Sequence, residues 1–477
     1  MHNTGRVTST LTATARRIVF GETVDADIDA ELGPISEVDM AHCVALAERG
    51  LIPADRVRAL LAHITALRSC DFAPLRGREA PRGLFMLYES HLSDTIGAEA
   101  GGSLHTGRSR NDLKVAVLSL RLRERLRQLT GETLRLQAIL LSRALRYGGV
   151  VMPVYTHYQP AVPVTYGHYL LGIATALDRD LTALSQAAAG LGTSPLGACG
   201  VGGTDLPLDT ERVAHLLGFD ATAPNSIDAV ASRDTALRAL FAATSLSLTT
   251  SRLATDLQLW STQEFGLLWF PDDQVGISSI MPQKRNVFLL EHIKAKPAVV
   301  SAAAQTLVMA AKGTPFTNSI EVGTEGVSGL WTGLTATLDA VVLSRLLVGA
   351  GEPVTGRMAQ WARDGWTTAT AMANRLVRDG VPFRQAHHRI GDLVRAAGTD
   401  GPPPTSPSPT DVVEQTEYGG GPGPKSLDRQ YESLRTAWTR HAASHLDWGE
   451  RLRARRTELA EAVAALIETG THPGGQP

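Results

Sequence analysis

From Val115 to Arg146 the apolar residues Leu118, Leu122, Leu126, Leu129, Leu136, Ile139 and Leu140 recur at helical spacing. A helix of that length runs on the order of 45 Å, at about 1.5 Å per residue. Similar stretches fit 164–191, 232–264, 286–311 and 327–347. Ser232 and Asp234 supply a cap for the third helix, and Pro297 predicts a kink in the fourth. Helices this long cannot all wrap one small core. They read as a long bundle whose Ala- and Ser-rich faces pack against helices of partner copies. Aromatic residues make up 5% of the chain, which favours helix–helix packing over strands, so the expected fold class is all-α. Around PPPTSPSP and GGGPGP, residues 399–425 read as an exposed loop with little fixed structure, followed by a last helix over 427–469.

Bulk properties narrow the function classes. The 477 residues are 43% apolar and 20% charged, enough for a real core. A net charge of −2 offers no field for nucleic acid or an anionic membrane. Two basic runs, 121–127 and 451–456, sit in helical patterns and read as solvated faces. Cys43, Cys70 and Cys199 give neither a disulfide framework nor a metal-binding pair. No run of about 18 apolar residues is evident, so no membrane span is expected. The first 20 residues lack the apolar core of a secretory signal, and a cytoplasmic protein is expected.

Three segments concentrate chemistry. Gly276 to Asn286 reads GISSIMPQKRN, poor in helix and strand formers, and is expected as a mobile loop running into the fourth helix. A helix N-terminus there would offer N–H groups to an anion, beside Lys284 and Asn286. Leu104 to Asp112 reads LHTGRSRND and packs His105, Thr106, Arg108, Ser109, Arg110, Asn111 and Asp112 ahead of the first long helix. Such donor density suits a carboxylate, which an arginine can bind in bidentate fashion. Thr156 to His168 reads THYQPAVPVTYGH and carries His157 and Gln159 before a proline-broken turn.

Together these segments resemble the fumarase/aspartase superfamily, whose signature loop has the form GSSxMPxKxN, and within it the argininosuccinate lyases. The likeness extends to SPLG at 194–197, NSID at 225–228, SRD at 232–234 and GVPFRQAHH at 380–388. The resemblance implies three mostly helical domains, taken as 1–104, 105–350 and 351–477, and a twenty-helix core in a homotetramer. It implies active sites built from three subunits acting on a small molecule, with no metal or organic cofactor. It also implies a carbon–nitrogen lyase that forms fumarate. Ser278 would be the base, with Lys284 and Asn286 stabilising the dianion. His157 would protonate the leaving nitrogen, oriented by Glu291, expected two turns beyond Lys284 on one helix face. Ser109, Arg110, Asn111, Thr156, Gln159, Ser279 and Met281 would hold the substrate.

Several positions depart from the argininosuccinate lyase pattern. The family's upstream E-D-I-H falls on Arg82 to Phe85. After Lys312 to Pro315 the chain continues FTNSIEVGTEG, with Asn318, Gly323 and Gly326 where the family has tyrosine, glutamine and lysine. Val287 replaces a proline, whereas Thr23 and Asp27 keep a hydroxyl and an acid near the N-terminus. The succinyl-handling groups persist while most amino-acid-handling groups are replaced. The expected substrate is therefore an N-succinyl amine other than argininosuccinate, or fumarate plus an amine. Two alternatives are a genuine argininosuccinate lyase and a non-catalytic, crystallin-like structural protein.

Overall fold

The computed structural model describes residues 9–21, 23–398, 401–403 and 405–469 and is dominated by helices. The N-terminal region packs α1 (Gly33–Glu48), α2 (Ala54–Ser69) and α3 (Leu84–Ile96). Helix α1 is buried almost all round, from Ile35 to Leu46, so its sequence shows no amphipathic stripe.

Helix α4 (Arg110–Arg146) starts five residues before its apolar repeat, because a capping box fixes it. The Ser109 hydroxyl accepts the Asn111 N–H at 3.3 Å, and the Asp112 carboxylate accepts the Ser109 N–H at 3.1 Å. Farther along, Leu122, Leu126, Leu129, Leu136 and Leu140 are completely buried, each contributing about 1.5–3 kcal/mol of transfer free energy. They share one core with α5 (Tyr166–Ala189), α6 (Asp234–Trp260), α7 (Leu289–Ala311) and α8 (Leu330–Ala350). Buried polar ties set the helix register. Asp180 of α5 accepts from Ser245 and Thr249 of α6, each at 2.7 Å. Ser247 donates to Thr337 of α8 at 3.0 Å. Helix α7 continues through Pro297.

Beyond the bundle, α9 (Thr355–Asp364) leads to a small helical pair, α10 (Ala369–Arg378) and α11 (Phe383–Ala397). The last helix, α12 (Pro424–Thr469), runs back along the bundle. Its Leu434 joins the bundle core, while Leu459, Val463 and Leu466 join the core of α1–α3.

Three local expectations need correction. Residues 151–165 form a hairpin of β1 (Val151–Thr156) and β2 (Gln159–Thr165), which the helix-rich composition hid. The described part of 399–425 is well fixed. It contains a helix, Pro409–Gln415, with a Ser408/Asp411 capping box. The Glu417 carboxylate then accepts the N–H groups of Lys425 and Ser426 at 3.1 and 2.7 Å. Local hydrogen bonding supplies the order that composition argued against. Finally, 321–350 does meet a length-and-hydropathy criterion for a membrane span, with mean hydropathy 1.4 over 18 residues. Half of that window is buried inside the bundle, where an all-round apolar helix belongs to the core.

Candidate active site

The donor segment is anchored from below. Arg108, one of the donors in LHTGRSRND, points into the protein and is almost completely buried. Its Nη2 lies 2.6 Å from Asp39 Oδ1 of α1, an ion pair with the Tyr88 hydroxyl beside it. Burial pushes the Asp39 carboxyl up, against the pull of Arg108. The ring of His42 meets the Thr106 carbonyl at 2.9 Å through Nε2. Burial first and Arg108 second hold the His42 pKa well below its usual value. His105 lies 3.5 Å from Glu89 and is held down to about 4, again by burial first and then by Arg108.

The outer half of the segment is tied from the side. Asp112 Oδ2 accepts the N–H groups of Gly197 and Cys199 at 3.2 and 2.9 Å. Both residues have positive φ, +100° and 51°, which turns their amides inward. A Cβ at Gly197 would come within 2.3 Å of Thr210. Asn111 donates to the Gly200 carbonyl at 3.0 Å and accepts from Asn318 at 3.1 Å. These ties leave Arg110 exposed and Asn111 half-buried at the N-terminus of α4, where N–H groups favour an anion.

His157 and Tyr158 form the two-residue tip of the β1–β2 hairpin, both at positive φ, 51° and 62°. A two-residue hairpin turn of this hand asks for that conformation, which costs non-glycine residues about 1–2 kcal/mol each. The strain projects an exposed His157 between Thr156 and Gln159, which are exposed as well.

The signature segment also departs from expectation. Gly276–Ile277 pairs with Arg285–Asn286 in a short ladder, and α7 begins only at Leu289. The loop therefore does not run straight into a helix N-terminus. Lys284 lies in a turn and Glu291 in the first turn of α7, so they do not share a helix face. The ladder is held by Arg285, which pairs with Asp272 and donates to the Phe270 carbonyl at 2.7 Å. At the loop's tip, Ser278 Oγ accepts the Met281 N–H at 3.1 Å. Ser279, Met281 and Lys284 are exposed, and Ile277 and Ile280 are 92% and 83% exposed. Glu291 accepts from Gln258 at 3.2 Å.

One chain does not bring the three segments together. Helix α4 has 37 residues and separates its two ends by about 54 Å. Arg110 and Asn111 stand at its start, whereas His157 follows its end on a hairpin reaching back at most about 30 Å. The signature loop lies at the hairpin's end of the bundle, where Tyr155 meets Phe265 with ring centroids 5.5 Å apart. Among the described residues, no hydrogen bond or ion pair joins His157 to Ser278, Lys284 or Glu291. No His/Cys/Asp/Glu group among them could hold a metal ion.

Sequence reasoning missed Asp39, Tyr88 and His42, which act through contacts far apart in the chain. It also missed Glu89. The family acid is absent from 82–85, but Glu89 sits one turn later on α3, facing His105, while Phe85 meets that ring edge-on at 5.2 Å.

The long helical bundle carries three polar segments at its ends, and comparison with known proteins places it among the lyases. A lyase family model matches residues 12–301, and an argininosuccinate lyase C-terminal model matches 366–415. Argininosuccinate lyase of Methanoculleus marisnigri is 38% identical over 364 residues, covering 76% of this chain and 74% of its own. Argininosuccinate lyase 1 of Shouchella clausii is 32% identical over 381 residues, covering 79% and 76%. EDDS lyase in complex with formate superposes with a TM-score of 0.84 at 26% identity, covering 93% of each chain. A class II fumarase from Schistosoma mansoni shares the fold alone, with a TM-score of 0.65 at 16% identity over 79% of this chain and 85% of its own. The chain belongs to the fumarase/aspartase superfamily, close to argininosuccinate lyase, and is a carbon–nitrogen lyase.

Proposed function

We propose that this enzyme eliminates fumarate from an N-succinyl amine, or runs the reverse addition, with a nitrogen partner other than arginine. The observation that carries the substrate reading is Asn318. Its amide donates to Asn111 at 3.1 Å, so the position that resembles the family's tyrosine braces the succinyl-binding asparagine. Gly323 and Gly326 present no side chain to an amino-acid tail. An arginine end deprived of charged hydrogen bonds loses roughly 1.5–3 kcal/mol for each.

In this reading Arg110 and Asn111, with Thr156 and Ser279, hold the succinyl carboxylates. Ser109 caps the helix that presents them, and Gln159 and Met281 complete the pocket. Ser278 removes the proton beside one carboxylate. Lys284 and Asn286 meet the dianion that develops, where donors placed in advance contribute most. His157, oriented by Glu291, protonates the nitrogen as the carbon–nitrogen bond breaks. The donor segment stands too far from the other two in one chain to act with them, which supports a site shared between subunits, and the family resemblance makes that assembly a homotetramer with three subunits at each site. Exposed Phe241, Leu248, Val299 and Leu346 on α6, α7 and α8 offer apolar surface for that assembly.

Fumarate absorbance with mass-spectrometric product capture tests the reading. Conversion of a non-arginine succinyl amine, with slow or no turnover of argininosuccinate, supports it. Rapid argininosuccinate cleavage sinks the substrate part. That alternative draws its support from the two argininosuccinate lyases, at 38% and 32% identity.

A further inference from the structure

Helix α4 carries a stripe of residues that begins at the succinyl site. Asn111, Lys114, Leu118 and Arg121 follow one another at spacings of three and four, so they share a face. Arg121 lies about 15 Å along the helix from Asn111. Two segments flank this stripe. On one side, residues 318–331 run from Asn318, bonded to Asn111, to Trp331 in the first turn of α8. On the other side lie Asp27 and, in a π-helical turn (Ile28–Leu32), Glu31. Tails extending from the nitrogen of a bound succinyl amine would run along this stripe.

Glu31 is already engaged, while Asp27 beside it stays exposed. Arg121 donates to Glu31 at 3.0 Å, and its guanidinium stacks 4.2 Å above the Trp331 ring. Its side chain is 19% exposed. Burial raises the Asp27 and Glu31 carboxyls, and Arg121 is the leading opposing influence on both. Glu31 feels Lys114 as well. Behind Arg121 and Trp331 opens a cleft of about 930 Å³, lined also by Leu120, Glu124, Arg125 and Gln128, so the same helix face continues beyond this barrier.

We infer that Arg121 is a specificity-determining residue, a built-in cation that occupies Glu31, offsets Asp27 and restricts the nitrogen partner to amines with a neutral or acidic tail. This rests on the lyase reading above. A cationic tail entering the stripe meets Lys114 and Arg121 with Glu31 already taken up, leaving the exposed Asp27 alone to offset them. Drawing Glu31 away to receive it would strand a largely buried guanidinium. A carboxylate or hydroxyl tail meets two cations instead.

The test is fumarate consumption with three linear amines whose tails are acidic, neutral and cationic, 4-aminobutyrate, butylamine and agmatine, on the wild type, Arg121→Gln and Arg121→Lys. The wild type and Arg121→Lys should favour 4-aminobutyrate or butylamine over agmatine. Arg121→Gln should raise the relative rate with agmatine by at least about tenfold, since it removes one like charge and frees the Glu31 carboxylate. An unchanged preference in Arg121→Gln, or a wild type that prefers agmatine, overturns the inference. If no amine is consumed by any form, the lyase reading fails separately. Calorimetric titration with agmatine then still decides the role of Arg121. Binding by Arg121→Gln but not by the wild type sustains it, and equal binding, or none to either, overturns it.

Discussion

The donor segment and the signature loop are both polar, and both belong to the proposed catalytic set, yet they are built in opposite ways. Residues 105–112 are tied to α1 through Asp39 and His42, to 197–200 through Asp112 and Asn111, and to Asn318. Residues 277–284 carry an internal turn at Ser278 and leave two isoleucines in solvent. The half that holds charge is preorganised, which is where electrostatic stabilisation needs rigidity. The half assigned the proton transfer in the proposed mechanism stays open, with Ile277 and Ile280 exposed. Substitutions in the donor segment should therefore disturb stability and binding together, whereas those in the loop should disturb function and leave stability unchanged.

The sharpest separation is expected at Ser278. Ser278→Ala should lower kcat by roughly 10²–10⁴, the range for a lost general base, with the melting temperature unchanged. A parallel loss of thermal stability would show the loop to be structural. Asp39→Asn should do the reverse. Removing one member of a buried pair costs about 3–5 kcal/mol, read in urea unfolding, and KM should rise by a larger factor than kcat falls.

The comparison extends to pH. His105, whose pKa is held near 4 in the fold against 6.5 for the free side chain, and His42, also held low, are neutral when folded. A depressed folded pKa means that protons favour the unfolded chain. This contribution is complete above about pH 6.5 and is lost as pH falls toward 4. Melting temperatures from pH 7 to 5 should fall, and His105→Gln should flatten the decline. An unchanged slope in that variant would place the acid lability elsewhere. The smallest effect is expected from Asn318→Ala. It frees one side of Asn111 and should raise KM about fivefold, the equivalent of one neutral hydrogen bond, with little change in kcat.

What the sequence could reveal follows from how local each feature is. The apolar repeat of α4 and the cap residues Ser109 and Asp112 lie within a few residues of one another, so the helix was readable. Asp39 and Arg108 have α2, α3 and a short helix, Ala98–Gly102, between them, and no spacing rule connects them. Lys284 and Glu291 misled because their separation fits two helical turns. Arg285, clamped by Asp272 and the Phe270 carbonyl, instead pairs the chain into a ladder there. The prolines and glycines of 399–425 suggested little fixed structure, but the Glu417 carboxylate and the Ser408 cap fix residues 408–426 through contacts that composition cannot encode.

The most direct test of a fumarate-forming site shared between chains uses two crippled variants. Asn111→Ala damages the donor segment and Ser278→Ala the loop, so each homogeneous assembly should be nearly silent in fumarate turnover. Co-assembled chains should recover activity, because some sites then combine an intact donor segment from one copy with an intact loop from another. Mixed assemblies no more active than either variant alone would contradict the shared site.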